Sequence, residues 1–150
     1  MLVDYVRVYY SSTPQPTPTP SPLQLILEQS GTDPIQAAAL DTQLLLRDPL
    51  PIVNPQNLLN NAFDRNTRVT IFVTNLVLTQ GEPASSVTVN MIDANNQSFD
   101  LAAEDVRNAP NQSFAQVIFR LPNNVSAGTC SLTVKAHGQM SNVATIRIRN

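Results

Sequence analysis

The chain is poor in the residues that most often carry catalytic or metal chemistry. Its 150 residues include one cysteine, one histidine, one lysine and no tryptophan. Cys130 cannot form an intrachain disulfide by itself, and in a strand-like run it is expected to be a small buried hydrophobe. His137 has neither cysteines nor clustered carboxylates beside it, which argues against a transition-metal site. Its place between Ala136 and Gly138 indicates a solvated turn.

The low net charge and the shortness of the apolar runs argue against a nucleic-acid-binding protein and against a membrane protein. The formal net charge is −2, and the arginines are scattered without forming a basic stripe, so no nucleic-acid partner is expected. No stretch approaches the roughly 18 apolar residues of a membrane helix, so no membrane insertion is expected. The sequence also has no glycine-rich phosphate loop and no G-x-S-x-G motif. We therefore expect this chain to be non-catalytic and to need no cofactor.

Aromatic residues make up only 5% of the chain, which limits how it could bind carbohydrate. Sugar faces are usually gripped by flat, exposed tryptophan or tyrosine rings, because these supply apolar area at low entropy cost. All three tyrosines lie within residues 5–10, and most of the five phenylalanines fall at inward strand positions, with Phe63 and Phe114 as exceptions. No stacking platform is expected, but a polar Asn, Gln and Asp site for a polysaccharide or cell-surface glycan stays an alternative.

Proline is abundant in one place. Five of the nine residues from Pro14 to Pro22 are proline, which is typical of a stiff polyproline-II spacer. This spacer divides the chain into an orphan strand (residues 1–10), a Pro/Thr/Ser linker (11–22) and a domain (23–150). A lone strand cannot bury its own faces. Residues 1–10 are therefore expected to be the end of a truncated upstream domain, or a strand that is exchanged with another subunit.

Beyond the linker, apolar and polar residues alternate with the period of two that half-buried strands show. The predicted strands cover residues 23–27, 42–47, 68–78, 86–93, 114–121, 129–136 and 144–149. The segment 37–47 also fits a helix, because alanine favours one. Asn95-Asn96 is predicted to form a tight hairpin, residues 104–110 a connection, and residues 56–60 a helical turn. This pattern indicates an all-β fold, an immunoglobulin-like antiparallel β-sandwich over residues 23–150.

The carboxylates offer one candidate metal site. Asp93 and Asp100 flank the predicted hairpin, and across it they could hold a calcium ion together with asparagine side chains, since Ca²⁺ takes oxygen ligands. Paired acids at a loop are more often surface charge, which is the alternative. Apart from this pair, the sequence indicates no metal ligands.

The orphan strand carries a resemblance to a known family. Residues 3–9, VDYVRVY, resemble the C-terminal strand of family-16 glycoside hydrolases, secreted β-jelly-roll enzymes that cut β-glucans and galactans. The usual glutamine after this strand is replaced by Tyr10. The E-x-D-x-x-E motif of the family would lie far upstream, so the resemblance implies no catalytic residue in this chain. It implies structural roles for Asp4 and Arg7.

The domain carries a second resemblance. The runs RDPLPIVNPQNLLN, TRVTIFVTNLVL and KAHGQMSNVATIRI are similar to C-terminal immunoglobulin-like modules of secreted bacterial surface proteins. The ending from Gly128 to Ile148 also resembles bacterial IPT/TIG-type domains. These modules have no known catalytic residues, so the resemblance implies spacing, adhesion or anchoring.

Three functional hypotheses follow from these patterns. The preferred one is a non-catalytic accessory, spacer or surface-attachment module at the C-terminus of a secreted glycan-degrading enzyme. A structural, self-assembling extracellular subunit that uses residues 1–10 as a donor strand is the first alternative. A weak carbohydrate-binding module is the second. The chain lacks a basic start followed by an apolar run, so a secreted or cell-surface protein would carry its export signal in a lost upstream part.

Overall fold

The computed structural model describes residues 21–28, 35–54 and 64–150. The predicted orphan strand, most of the linker, the predicted helical turn at 56–60 and Phe63 lie outside these residues. The described chain is almost entirely β, and its one helical element is a single 3-10 turn at Ala84–Ser86. No helix among the described residues is long and apolar enough to cross a membrane.

The described residues form eleven strands of two to nine residues. In chain order they are β1 (Gln24–Leu25), β2 (Ala39–Asp41), β3 (Leu50–Pro51), β4 (Arg68–Thr74), β5 (Thr88–Ile92), β6 (Ser98–Ala102), β7 (Asp105–Asn108), β8 (Phe114–Arg120), β9 (Gly128–Ala136), β10 (Gln139–Met140) and β11 (Ala144–Arg149).

The strands form two sheets with the order of an immunoglobulin-like sandwich. The first sheet runs β1-β4-β8-β7, with β2 also paired to β4; the second runs β3-β11-β9-β5-β6, with β10 paired to β9. Lettered by position, these are the A-B-E-D and A′-G-F-C-C′ sheets of that fold. The strand pairs are antiparallel except β3 with β11, which is parallel. The predicted fold class is confirmed.

The core lies between the sheets, where the period-two pattern directs the apolar side chains. Val69, Ile71 and Val73 of β4 face inward and are fully buried, as predicted. The other central strands supply further fully buried members: Val89 and Met91 from β5, Ala115, Val117 and Phe119 from β8, Cys130, Leu132 and Val134 from β9, and Ile146 from β11. Burial of these side chains is the main stabilising contribution to the fold.

The strand predicted at residues 42–47 is wrong. Residues 39–41 form the strand instead, and a tight turn follows. The buried carboxylate of Asp41 causes this, since its Oδ1 accepts hydrogen bonds from the backbone N–H groups of Gln43 (2.8 Å) and Leu44 (3.1 Å). Such a bond from an Asp to the backbone two residues on mimics a backbone turn and competes with strand pairing.

The connection predicted at residues 104–110 is also wrong, because β7 occupies most of it. This edge strand pairs with β8 from Asp105 opposite Ile118 to Asn108 opposite Ala115. Val106 is its one apolar residue and packs against the core. A single inward side chain gives no visible alternation, so the sequence pattern did not reveal this strand.

The chain passes from one sheet to the other at both sides of the sandwich. Between β6 and β7, the N–H of Ala103 bonds to the second sheet at Val87, and the next N–H, that of Glu104, bonds to the first sheet at Ile118. On the other side, residues 35–52 bond in turn to Thr145, to β4 and to the end of β11. Both edges of the core are therefore closed by backbone.

The first and last strands leave opposite ends of the sandwich. Gln24 of β1 pairs with Thr74, the last residue of β4, at what we call the linker end. β8 starts at this end, because Phe114 also pairs with Thr74, and it runs to the other end, from which β9 starts. Ile148, near the end of β11, pairs with Gly128 at this second end, which we call the carboxyl end.

Candidate functional site

A broad groove lies on the outer face of the second sheet at the linker end. It encloses about 580 Å³ and is lined by Ser86, Thr88, Asp100 and residues 135–140. Outward-facing side chains of β5 and β9 form the floor of the groove. Thr88 and Lys135 are paired neighbours on these strands, and both point away from the core. The β9–β10 turn forms the wall. The groove is therefore built by rigid strands and one tight turn.

His137 sits in that turn, as predicted. Both His137 and Gly138 have positive φ (50° and 71°), as the two central residues of a type I′ hairpin turn require. Glycine adopts this conformation without steric cost, and histidine is among the residues that tolerate it. The turn directs the imidazole toward Glu82, whose carboxylate oxygens lie 2.8 and 3.0 Å from Nε2.

Glu82 is the anchor of this corner and was missed by the sequence reading. It accepts hydrogen bonds from the Ser86 hydroxyl (2.7 Å) and from the backbone N–H of Thr79 (2.9 Å), besides its contact with His137. The Ser86 bond, then the Thr79 bond, outweigh the opposing effect of burial and lower the pKa of Glu82 to about 2. Glu82 is therefore a carboxylate at neutral pH.

The order of these groups does not fit nucleophilic catalysis. In a serine hydrolase the imidazole lies between the hydroxyl and the acid, so that it can take the proton of the hydroxyl. Here the carboxylate of Glu82 lies in the middle and contacts both Ser86 and His137. Ser86 donates a hydrogen bond to this carboxylate, which is too weak a base to remove the hydroxyl proton. The arrangement stabilises the turn and can hold polar ligands by hydrogen bonds.

The groove floor carries one cation and one anion. Lys135 Nζ lies 3.7 Å from Asp100 Oδ1, and the same oxygen accepts a hydrogen bond from Asn90 Nδ2 at 2.8 Å. Met140 adds an exposed apolar surface at the rim. These groups can donate to and accept from a neutral hydroxylated ligand while a sulfur-containing side chain covers its apolar face.

The structure does not bring the candidate calcium ligands together. Asp93 is buried, and its carboxylate accepts three backbone N–H groups, those of Asn95, Gln97 and Ser126, each at 2.9 Å. Asp100 points outward on β6 into the groove. Burial alone would raise the pKa of Asp93, but the N–H donors, led by Ser126, outweigh it and lower the pKa. Asp93 therefore holds the β5–β6 hairpin against the loop between β8 and β9.

Other potential metal ligands are also dispersed. Among the described residues, no group of three or more His, Cys, Asp or Glu side chains could hold a metal ion. Cys130 is buried in the core as expected, and burial, aided by the charge of Asp93, raises the pKa of its thiol to about 11. The thiol is therefore protonated at neutral pH, which makes it unreactive as a nucleophile.

A second ionic cluster lies at the carboxyl end of the first sheet. Arg68 and Arg120 are direct cross-strand partners on β4 and β8, where like charges repel. Asp64 lies between them, with Oδ2 2.8 Å from Arg68 Nη2 and 2.7 Å from Arg120 Nε. The hydrogen bonds from Arg120 and then Arg68 hold the pKa of Asp64 well below its usual range. Both arginines already have an acidic partner, so this cluster stabilises the pairing of β4 with β8.

The phenylalanines only partly follow the prediction. Phe119 is buried and Phe99 packs against the core. Phe114, the expected exception, lies on the outer face of the first sheet, but Phe72 lies there too, which was not expected. Their rings meet edge to face, with centroids 5.6 Å apart and planes at 87°. Each ring half-buries the other, so this pair does not offer the flat, open platform that a sugar stacks on.

Comparison with known proteins gives no family assignment. Neither a scan of protein-family models nor a search of curated proteins finds a match to this chain.

Proposed function

We propose that the sandwich is a non-catalytic accessory module that spaces or attaches a secreted glycan-degrading enzyme. The observation that carries this proposal is the placement of the first and last strands at opposite ends. The polypeptide then enters the domain at the linker end and leaves it at the carboxyl end. A segment before the domain and a segment after it are therefore separated by the length of the sandwich. A proline-rich segment leading to the linker end extends that spacing.

The chemistry of the described side chains supports a structural role. His137 and Ser86 both contact Glu82, Asp64 is held by two arginines, and Asp93 is saturated by backbone N–H groups. Glu82, Asp64 and Asp93 have the lowered pKa values and close partners that also mark active sites. In each case, however, the partners connect loops or strands of the sandwich, which accounts for them without a substrate.

The assignment to a glycan-degrading enzyme rests on the VDYVRVY segment, which resembles the last strand of family-16 glycoside hydrolases, and on the linker behind it. Sequencing the genomic DNA upstream of this chain tests it. We expect a continuous reading frame that encodes a jelly-roll domain and an export signal. Upstream DNA that encodes neither would overturn this part of the proposal and leave the module without an enzyme.

The spacing role has its own experiment, made in the parent enzyme. Deletion of residues 23–150 is expected to leave kcat and KM on a short soluble glucan unchanged, because no group of the sandwich takes part in the reaction. The same deletion should reduce retention at the cell surface or activity on insoluble polymer. A loss of activity on the soluble substrate, with the catalytic domain still folded, contradicts a non-catalytic role.

The groove beside His137 favours direct glycan contact as a second candidate function. Its polar floor and the exposed Met140 suit a hydroxylated ligand of the size of one or two sugar rings. Binding of the chain to immobilised β-glucan, weakened by Lys135→Ala and unaffected by Arg107→Ala on the other sheet, would support it. Equal binding by both variants would place any glycan contact elsewhere.

A further inference from the structure

Three leucines in a row lie exposed at the tip of the turn between β2 and β3. Leu44, Leu45 and Leu46 have exposed fractions of 40%, 69% and 49%. Scattered single apolar residues on a surface are ordinary, but a contiguous group marks an interaction site more often than chance. We call residues 42–46 the leucine turn.

The leucine turn is braced from behind by buried polar groups. Asp41, at its base, bonds to the N–H groups of Gln43 and Leu44 and accepts a third bond from Asn54 Nδ2 at 3.1 Å. The Thr42 hydroxyl bonds to the carbonyl of Arg68 (2.9 Å). The apolar side chains at the tip are therefore held in place rather than loosely attached, which lowers the entropy cost of binding through them.

Leu45 is the one residue whose backbone is unsuited to its side chain. Five non-glycine residues of the described chain have positive φ; four are asparagine or histidine, the types that tolerate this region, and the fifth is Leu45 with φ 54°. A leucine there is strained, because its Cβ crowds the following carbonyl. Strain of this kind persists where the surrounding structure imposes it and often marks a functional contact.

A pocket that could receive such a side chain lies beside the same hairpin. It encloses about 190 Å³ and is lined by Leu27, Glu28, residues 38–40, Arg47 and Phe72. Leu40 and Arg47 of the pocket face each other across the hairpin whose tip is the leucine turn. A cavity of about 150 Å³ accommodates a benzene molecule, so this one is large enough for a leucine side chain. The leucine turn and this pocket therefore lie on the same side of the molecule.

We propose that this side of the sandwich binds a second copy of the chain about a two-fold axis, with Leu45 of each copy in the pocket of the other. A two-fold interface needs one self-complementary patch, and this patch carries both a projection and a pocket. It also carries both charges at the pocket rim: Glu28 and the largely exposed Arg47 form an ion pair within one chain. Across a two-fold axis the same residues can pair between copies. The proposal is independent of the spacing function.

Sedimentation velocity of the full chain tests the proposal, at concentrations up to about 1 mM, where even a weak dimer with a Kd near 0.1 mM is populated. We expect dimers for the unmodified chain and at least about tenfold weaker association for Leu45→Asn, since a buried anchor side chain is lost. Val77→Asn is the matched control, because Val77 is as exposed (65%) but lies at the linker end. Its association is expected to be unchanged.

The same variant separates function from damage to the fold. Asparagine suits positive φ better than leucine, so Leu45→Asn should raise the Tm of the monomer while it weakens the dimer. A monomeric unmodified chain over the whole concentration range overturns the proposal. So does a dimer that Leu45→Asn leaves intact, because another surface would then be responsible.

Charge reversal at the pocket rim gives an independent readout. Glu28→Arg and Arg47→Glu, made singly, each place like charges side by side, and both should weaken the dimer. The double variant restores opposite charges and is expected to regain most of the association. Double-variant dimers as weak as those of the single variants would show that these residues do not meet across the interface, and would contradict the proposed geometry.

Discussion

At the scale of single residues, two threonines at the start of β4 differ in one respect. Both Thr67 and Thr70 are buried, but the Thr70 hydroxyl lies 2.9 Å from that of Thr42, whereas the Thr67 hydroxyl has no hydrogen-bond partner among the described residues. A buried hydroxyl without a partner has lost its hydrogen bonds to water and gained none. The two positions therefore respond in opposite ways to the same substitution.

Thr67→Val is expected to raise the free energy of unfolding by about 1 kcal/mol, because valine has the same shape and no polar group to desolvate. Thr70→Val is the matched control and should lower it by about 1 kcal/mol, since it removes the hydrogen bond between the Thr70 and Thr42 hydroxyls and leaves Thr42 bonded only to the Arg68 carbonyl. Urea unfolding of both variants measures the difference. Equal destabilisation by the two would mean that the Thr67 hydroxyl is satisfied after all.

Gly128, the first residue of β9, is required for steric reasons. Its φ is 134°, and a Cβ built on it would lie 2.7 Å from the Cβ of Ala94. Gly128→Ala should therefore destabilise the fold by about 3 kcal/mol, through strain and overpacking together. Gly81→Ala serves as the control, because Gly81 also has positive φ but open space around it, and should cost only about 1 kcal/mol. Thermal unfolding of the two variants separates the clash from the strain.

At the scale of elements, the β4–β8 ladder depends on acids that lie outside it. Arg68 and Arg120 occupy opposed positions; Asp64 pairs with both, and Glu104 pairs with Arg68 as well. Asp64 precedes β4 in a segment without regular structure, so a loop residue decides whether two strands pair favourably. Removal of its charge exposes the repulsion between the two guanidinium groups.

Asp64→Asn is expected to lower stability at pH 7 by about 2 kcal/mol, the value of hydrogen bonds to charged groups. The folded pKa of Asp64 lies below its ordinary value of 3.8, so the stabilisation is present above about pH 5 and is lost as the pH falls toward the folded pKa. The unmodified chain should therefore lose stability more steeply than the variant between about pH 5 and pH 3.

Asp105→Asn is the control for this prediction. Among the described residues, the carboxylate of Asp105 pairs with the exposed Arg107, two residues away on the same edge strand, and an exposed pair of this kind contributes little. Its pH profile should match that of the unmodified chain. If Asp64→Asn has the same profile as well, the three-membered cluster does not contribute to the ladder as its distances indicate.

The sequence predicted the structure best where a single local pattern, such as apolar–polar alternation or a turn-forming residue pair, determines a strand or a hairpin. Alternation alone predicted the inward faces of β4, β5, β9 and β11 and the presence of β8, and the Asn95-Asn96 pair predicted its hairpin. It failed where a distant or local polar contact decides. The turn after Asp41 depends on a buried carboxylate, and the His137 corner on Glu82, which is 55 positions away. Pairings over such distances are set by the tertiary fold and have no period in the sequence.

At the scale of the whole molecule, the parallel contact between the A′ and G strands connects the two halves of the chain. β3 runs beside the end of β11, and upstream of it Ile35 and Ala37 exchange backbone hydrogen bonds with Thr145 at 2.7 and 2.8 Å. These contacts join the early part of the chain to its last strand. The rest of the sandwich lies between them in sequence.

We expect this arrangement to resist tension between the two ends of the sandwich. A pull on the two opposite ends slides β11 along its parallel partner, so the hydrogen bonds between them are loaded in shear and must break together. An antiparallel hairpin pulled from its open end would instead break them one at a time. Thr145→Pro deletes one of these bonds and should lower the unfolding force in single-molecule pulling, whereas Ser98→Pro at the far edge should not. A domain that holds an enzyme to a surface in moving fluid would need this resistance more than it needs a high melting temperature.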